Sequence, residues 1–442
     1  MKRFFTALVT MLTLTLIVAC STPEAEVETE TPEASTDMVT TIKEPVTIEF
    51  WHAMSGANGE VVAEIVEMFN STVGKEKQIT VEPVYQGSYN DLKAKITAAL
   101  KAKETPVVAQ TYTDWIAEYL QADAVVPLND YITDDEVGIK DFEDIAQAYR
   151  DENSQFSEEG VFYSLPFNKS TEVLYYNKTF FEENNLEVPT SWQELEEVSK
   201  EIYEMTGNPG FGIDSMQNFM VTSIRQLGGE YTSSSGEVRF GDNDAAKESL
   251  ELVKRNTDEG YWRLVGEDKY MSGPFLNELV YMYTGSTAGS EFLKEADFEW
   301  GAVAYPQYSG SNQAVIQQGT NLVIMNQEKT PEEVYAGYEF AKYLSSYDAN
   351  LYLSTNTGYL PIRQSVMDSA EYKEYAETAN DDTKIVGPEQ IGINFYDPAF
   401  FDGEISSYNV RSEIGKALEN VVVNEMEPQA AIDEALRALG KK

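Results

Sequence analysis

From Val46 the chain alternates: Val46, Ile48 and Phe50 fall on one face and Thr47 and Glu49 on the other, the period of a half-buried strand. The turn-rich run Ser55-Gly56-Ala57-Asn58-Gly59 follows. Val61, Val62, Ile65, Val66, Met68 and Phe69 then recur at helical spacing. Residues 79–85 predict a second strand, and 91–103, with Leu92, Ile96 and Leu100 on one face, a second helix. Val107-Val108-Ala109 predicts a short strand buried on both faces. Strand, helix, strand, helix, strand implies a parallel sheet with right-handed crossovers. Ligands of such sheets sit beyond the carboxyl ends of the strands, here at 51–55, 86–89 and 111–115.

Farther along, Leu174-Tyr175-Tyr176-Asn177 predicts a strand, and Thr190 or Ser191 caps a helix reaching about Met205. Further helices are expected at 244–256, 331–345, 411–423 and 429–439. No solenoid-length repeat is visible. Some 400 residues exceed the usual size of one core, so two lobes are expected.

The start of the chain has a different pattern. Lys2-Arg3 precedes an apolar run from Phe4 to Ala19, too short and too terminal for a spanning helix and shaped like an export signal. It ends at Cys20, the only cysteine, so no disulfide can form within the chain. Ile17-Val18-Ala19-Cys20 resembles a bacterial lipobox, which predicts removal of residues 1–20 as a lipoprotein signal and lipidation of Cys20. Residues 21–45 are rich in Thr, Glu, Pro and Ser and too polar to bury a core. They read as a disordered acidic linker with a coil span of roughly 25–30 Å. The formal charge is −43, and losing Lys2 and Arg3 takes it to −45. So acidic a surface disfavours nucleic acid as a partner.

Catalytic and metal motifs are missing. With His52 the only histidine and one cysteine, neither a Cys–His pair nor a multi-histidine zinc site can form. No nucleophile elbow, Walker loop or dinucleotide fingerprint occurs, so no cofactor and no metal are expected. His52, where the first strand ends, either faces a ligand or packs. Paired carboxylates remain available among 75 acidic residues, which keeps an exported carbohydrate-active enzyme as a distant alternative.

Several segments carry a family resemblance: Ile48-Glu49-Phe50-Trp51-His52-Ala53-Met54, Pro83 to Tyr89, Pro166 to Thr171 with Val173 to Lys178, the Pro189 to Leu195 helix start, and Thr357 to Ile362. Together they resemble the family 1 extracytoplasmic solute-binding proteins of ABC importers, the maltose-binding-protein-like group. The sn-glycerol-3-phosphate-binding branch is the most similar. The resemblance implies an α/β, two-lobe periplasmic-binding-protein fold of type II, with a ligand cleft between discontinuous lobes joined by a hinge. Lobe one is expected at 46–164 plus 306–346, and lobe two at 165–305 plus 347–442. It implies no enzyme activity. The chain is expected to be a monomer, anchored by lipid to the extracytoplasmic side of the cell membrane, that captures a small polar solute for an ABC permease.

By similarity, the branch's pocket residues fall on Tyr89, Ser170, Ser286, Gly319, Tyr359 and Arg411. A guanidinium, hydroxyls and a backbone N–H suit an anionic phosphate. Two departures stand out. The branch's glutamate after the third strand is replaced by Thr113, with Asp114 beside it. The segment Gly212 to Phe219 lacks the tryptophan expected there. A site built on hydroxyl recognition is sensitive to such changes. The implied solute is sn-glycerol-3-phosphate or a related glycerophosphodiester, with a sugar or oligosaccharide as the alternative.

Overall fold

The computed structural model describes residues 38–441 apart from Ser234, Ser309 and Ser311. The signal, Cys20 and linker positions 21–37 lie outside the described residues. Farther on in the expected linker, Val39 and Ile42 pack against a core cluster, so ordered chain begins before the first strand.

The alternating opening segment forms β1 (Val46–His52). The helical stripe becomes the helix Gly56–Ser71, burying Val61, Val62, Ile65, Val66 and Phe69. β2 (Ile79–Tyr85) and β3 (Val108–Thr111) both pair with β1 in parallel, as expected. β4 (Leu165–Asn177) extends the expected strand by nine residues toward the N-terminus. Then follow β5 (Phe211–Ile213), β6 (Trp262–Leu264), β7 (Met282–Ser286), β8 (Trp300–Ala304), β9 (Val315–Ile324) and the short β10 (Asn394–Phe395). The strand order is β2-β1-β3-β9-β4-β7-β5-β6, with β8 on β4 and β10 on β9. Parallel pairs flank an antiparallel centre in which β9 pairs β3 and β4, and β4 pairs β7.

That centre holds the fold together. Leu165 and Phe167 of β4 enter one large core with Phe50, Phe69 and Phe340, whereas Leu174 enters another with Trp192, Trp262 and Leu418. β9 does the same in reverse: Val315 and Ile316 join the second core, Leu322 and Ile324 the first. Each fully buried large apolar side chain contributes about 1.5–3 kcal/mol, so both lobes are well anchored on the strands that link them. Later in the chain, Ala349, Leu353 and Tyr359 also join the first core, and Val410, Ile414 and Leu418 the second.

At the crossing, the β4–β9 register breaks between Pro166 and Lys169, and Lys169 lies opposite Gly319. Gly319 has φ +92°, and a Cβ there would lie 2.0 Å from the Asn168 carbonyl oxygen. Only glycine fits. No helix among the described residues is long and apolar enough to cross a membrane.

Candidate functional site

The loops at the carboxyl ends of β1, β2 and β3 open onto the crossing strands. Gln110 of β3 ties them together: its Oε1 accepts from the Ala53 N–H at 2.8 Å, and its Nε2 donates to Asn168 and Thr320 at 3.0 and 2.9 Å. The β2 loop turns at Gly87 (φ +101°) into a capping box, in which Ser88 and Asp91 start the helix Tyr89–Ala102. This presents Tyr89 at the first helical position.

Two cavities meet above β9, sharing Tyr89, Tyr112, Gln318 and Gly319. Every pocket residue expected from the sequence lines one or both. Ser170, Ser286 and Tyr359 line the larger, of about 540 Å³. Thr113, Asp114 and Arg411 line the smaller, of about 380 Å³.

The larger cavity gathers hydroxyls. The Tyr89 and Tyr359 oxygens are 3.2 Å apart, and Ser286 Oγ donates to Ser170 Oγ at 3.0 Å. Tyr359 is held by close packing: a Cβ on Gly358 would lie 2.6 Å from Ala288 Cα, and Leu360 N–H donates to the Lys169 carbonyl at 2.8 Å. Burial pushes both phenol pKa values up, so these groups stay neutral donors.

Charged groups occupy the smaller cavity. Arg411, on the helix Ser407–Val423, donates to Asp397 and to Asn218 Oδ1. Asp397 also accepts from the Tyr231 hydroxyl. Asn218 Nδ2 and Gln318 Nε2 both donate to Glu172 Oε1, at 2.8 and 2.9 Å. Burial raises the Glu172 pKa to about 7 and that of Asp114 to about 6. Thr113 donates to Glu152, whose carboxylate also holds Lys169 at 2.7 Å in a buried ion pair. A carboxylate from another element thus stands next to Thr113.

Sequence reasoning missed Glu152, Asp397, Gln318 and Tyr408. Glu152 and Asp397 reach the site from distant parts of the chain with no local motif to mark them, whereas Gln318 and Tyr408 neighbour Gly319 and Arg411, which were named. Trp115 and Asn218 lie in segments whose positions were readable, the β3 loop and the tryptophan-less run. His52 lines neither cavity; its ring stacks on Phe50 at 5.3 Å, and burial lowers its pKa to about 4, so it packs. A more open hollow of about 600 Å³ near Trp192 lies away from the crossing strands, and its Arg255 is held two-pronged by Glu196.

Residues 64–380 match the family model of the bacterial extracellular solute-binding proteins. The chain belongs to that family. It is 24% identical over 412 residues to the sn-glycerol-3-phosphate-binding periplasmic protein of Salmonella typhimurium, covering 88% of this chain and 91% of that one. Among solved structures, UgpB from Mycobacterium tuberculosis in complex with glycerophosphocholine superposes with TM-score 0.77 at 19% identity, covering 89% and 98%. The GacH receptor of Streptomyces glaucescens, solved unliganded and with acarbose, gives 0.75 at 22%, covering 89% and 97%. The fold is therefore the two-lobe α/β fold of periplasmic solute-binding proteins. As a member of this extracytoplasmic family, the protein is a binding component of an ABC importer, not an enzyme. It hands a small polar solute to a permease.

Proposed function

We propose that this solute-binding protein captures sn-glycerol-3-phosphate or a related glycerophosphodiester, tethered to the membrane through lipidated Cys20 and acting as a monomer. The observation that carries the reading is the hydroxyl quartet of Tyr89, Tyr359, Ser170 and Ser286 beside Gly319. Hydroxyls rotate to donate, so four of them can turn toward the oxygens of one phosphate. Arg411 takes a different part from the one its sequence position implies. Already paired with Asp397, it serves the remainder of the solute in the smaller cavity, where Asp114 is the acceptor. The name of the Salmonella relative and the ligand of the Mycobacterium structure support the same class.

A sugar is the second reading, favoured by the aromatic wall of Tyr112, Trp115 and Tyr408 in the smaller cavity. Ligand from both lobes closes the hinge in either case. A thermal-shift panel separates the two, since a ligand that binds only folded protein raises the melting temperature by mass action. sn-Glycerol-3-phosphate should raise it, and the shift should shrink in Ser170→Ala and Ser286→Ala. A shift with maltose or maltotriose and none with glycerol phosphates would leave the sugar reading in its place.

A further inference from the structure

Behind Tyr359, outside both cavities, lies a buried lysine without a counter-ion. Lys384, on the helix Thr383–Glu389, is 1% exposed. Among the described residues no carboxylate reaches its Nζ within ion-pair distance; Asp381 accepts from Thr383, and Glu291 pairs with Lys294. The ammonium instead donates to two backbone carbonyls, that of Thr357 and, at 3.2 Å, that of Ser354. The Tyr375 ring centroid lies 5.8 Å away, and the Tyr372 hydroxyl donates to the Lys384 carbonyl at 3.1 Å. A buried charge held only by neutral groups is costly, and packing alone would be served better by a nonpolar side chain.

Those two carbonyls belong to the turn that delivers Tyr359. Ser354 is in the last turn of the helix Tyr347–Asn356 and Thr357 is its C-cap, where the helix dipole favours a cation. Thr357 is fixed by its side chain as well: Oγ1 donates to the Leu353 carbonyl at 2.6 Å and accepts from the Tyr359 N–H at 3.2 Å. The helix that carries Lys384 also backs the turn, since a Cβ on Gly387 would lie 2.6 Å from Leu360 Cδ2 and 3.3 Å from Thr287 Cγ2. Leu360 follows Tyr359 and Thr287 follows Ser286, so one short helix supports two of the hydroxyl residues of the larger cavity from behind.

We propose that Lys384 is a positioning residue for solute binding: its ammonium fixes the Ser354 and Thr357 carbonyls and thereby holds the Tyr359 hydroxyl where the solute meets it. This rests on the reading of Tyr359 as a solute contact, and not on which solute is bound. Burial lowers the Lys384 pKa from 10.5 to about 8; Asp381 and Glu291 work against the lowering, and Lys294 adds to it. Affinity should therefore fall as pH rises through about 8, where the ammonium loses its charge and its hold on the carbonyls weakens. Stability moves the other way. The unfolded chain keeps that proton up to about 10.5, so this group's contribution to folding rises with pH between about 8 and 10.5. A loss of affinity in that range is then not a sign of unfolding.

The test is calorimetry with sn-glycerol-3-phosphate, and in parallel with maltotriose, on wild type, Lys384→Met, Tyr359→Phe and the double variant. Neither probe titrates between pH 7.5 and 9.5, since a phosphate monoester loses its second proton at about pH 6. Wild type should lose at least about threefold in affinity over that range while its near-UV circular dichroism stays native. Lys384→Met should bind about tenfold more weakly at pH 7.5, with a flat pH profile. Because Lys384 acts through Tyr359, the double variant should lose less than the product of the two single losses. A Lys384→Met protein that binds like wild type overturns the proposal. So do single losses that multiply, or a pH dependence that survives the substitution. If Lys384→Met does not fold, the wild-type profile decides, and an affinity unchanged up to pH 9.5 overturns the proposal. Binding of maltotriose without sn-glycerol-3-phosphate overturns the phosphate reading instead, and the same four proteins then decide the role of Lys384 on maltotriose.

Discussion

Asp397 and Arg411 form a pair whose members need each other. Asp397 accepts from both Tyr231 and Arg411, and it is nearly buried. Arg411→Ala leaves that carboxylate without its counter-charge and should cost about 3–5 kcal/mol of stability. Arg411→Ala with Asp397→Asn should recover part of the loss, and melting curves of the two single variants and the double variant measure the coupling. Asp114 makes a prediction with the opposite sign. Its folded pKa, about 6, lies above the ordinary carboxylate value, so the unliganded fold loses stability as pH rises from about 4 through 6, and the whole penalty is present above that. Asp114→Asn removes the penalty. It should raise the melting temperature at pH 7.5, by a stability of order 2 kcal/mol, and change it little at pH 4. An equal effect at both pH values would contradict the burial of an ionised carboxylate.

At the scale of elements, the register break opposite Gly319 is the most demanding backbone feature near the site. Gly319→Ala forces a Cβ against the Asn168 carbonyl at an unfavourable φ, and should destabilise by about 3 kcal/mol or more in denaturant unfolding. Ser88→Ala removes one half of a capping box and should cost about 1 kcal/mol while loosening Tyr89. Elements like that helix were legible because their signals are local: an apolar stripe, a capping serine, a strand end. β9 was not. Gln317, Gln318 and Gly319 interrupt its alternation, since its polar side chains face cavities and buried partners instead of solvent. Tyr89, Ser170 and Tyr359 could be named from short motifs, whereas Glu152 and Asp397 enter the site only through the folding of distant segments. The Thr113 substitution illustrates the limit. From the sequence it reads as a lost carboxylate, yet the chain brings Glu152 to the same spot from the helix Gln147–Ser154.

Among the described residues the two largest cores share the strands β4 and β9, with the candidate pocket where those strands cross. Such a design lets ligand contacts from both lobes bias a hinge. Tethering belongs to the same scale: Cys20→Ser should move the protein into the soluble fraction or leave it unprocessed, and normal processing with retained membrane association would contradict the lipoprotein assignment. The central claim is that the crossing-strand pocket selects a phosphate-bearing solute. The most direct measurement is titration calorimetry of the wild-type protein with sn-glycerol-3-phosphate, glycerophosphocholine and maltotriose under one buffer condition. The account predicts saturable one-to-one binding of at least one of the two phosphate esters at about micromolar affinity, roughly −8 kcal/mol, and no heat of binding with maltotriose. Tight binding of maltotriose with neither phosphate ester bound would contradict it.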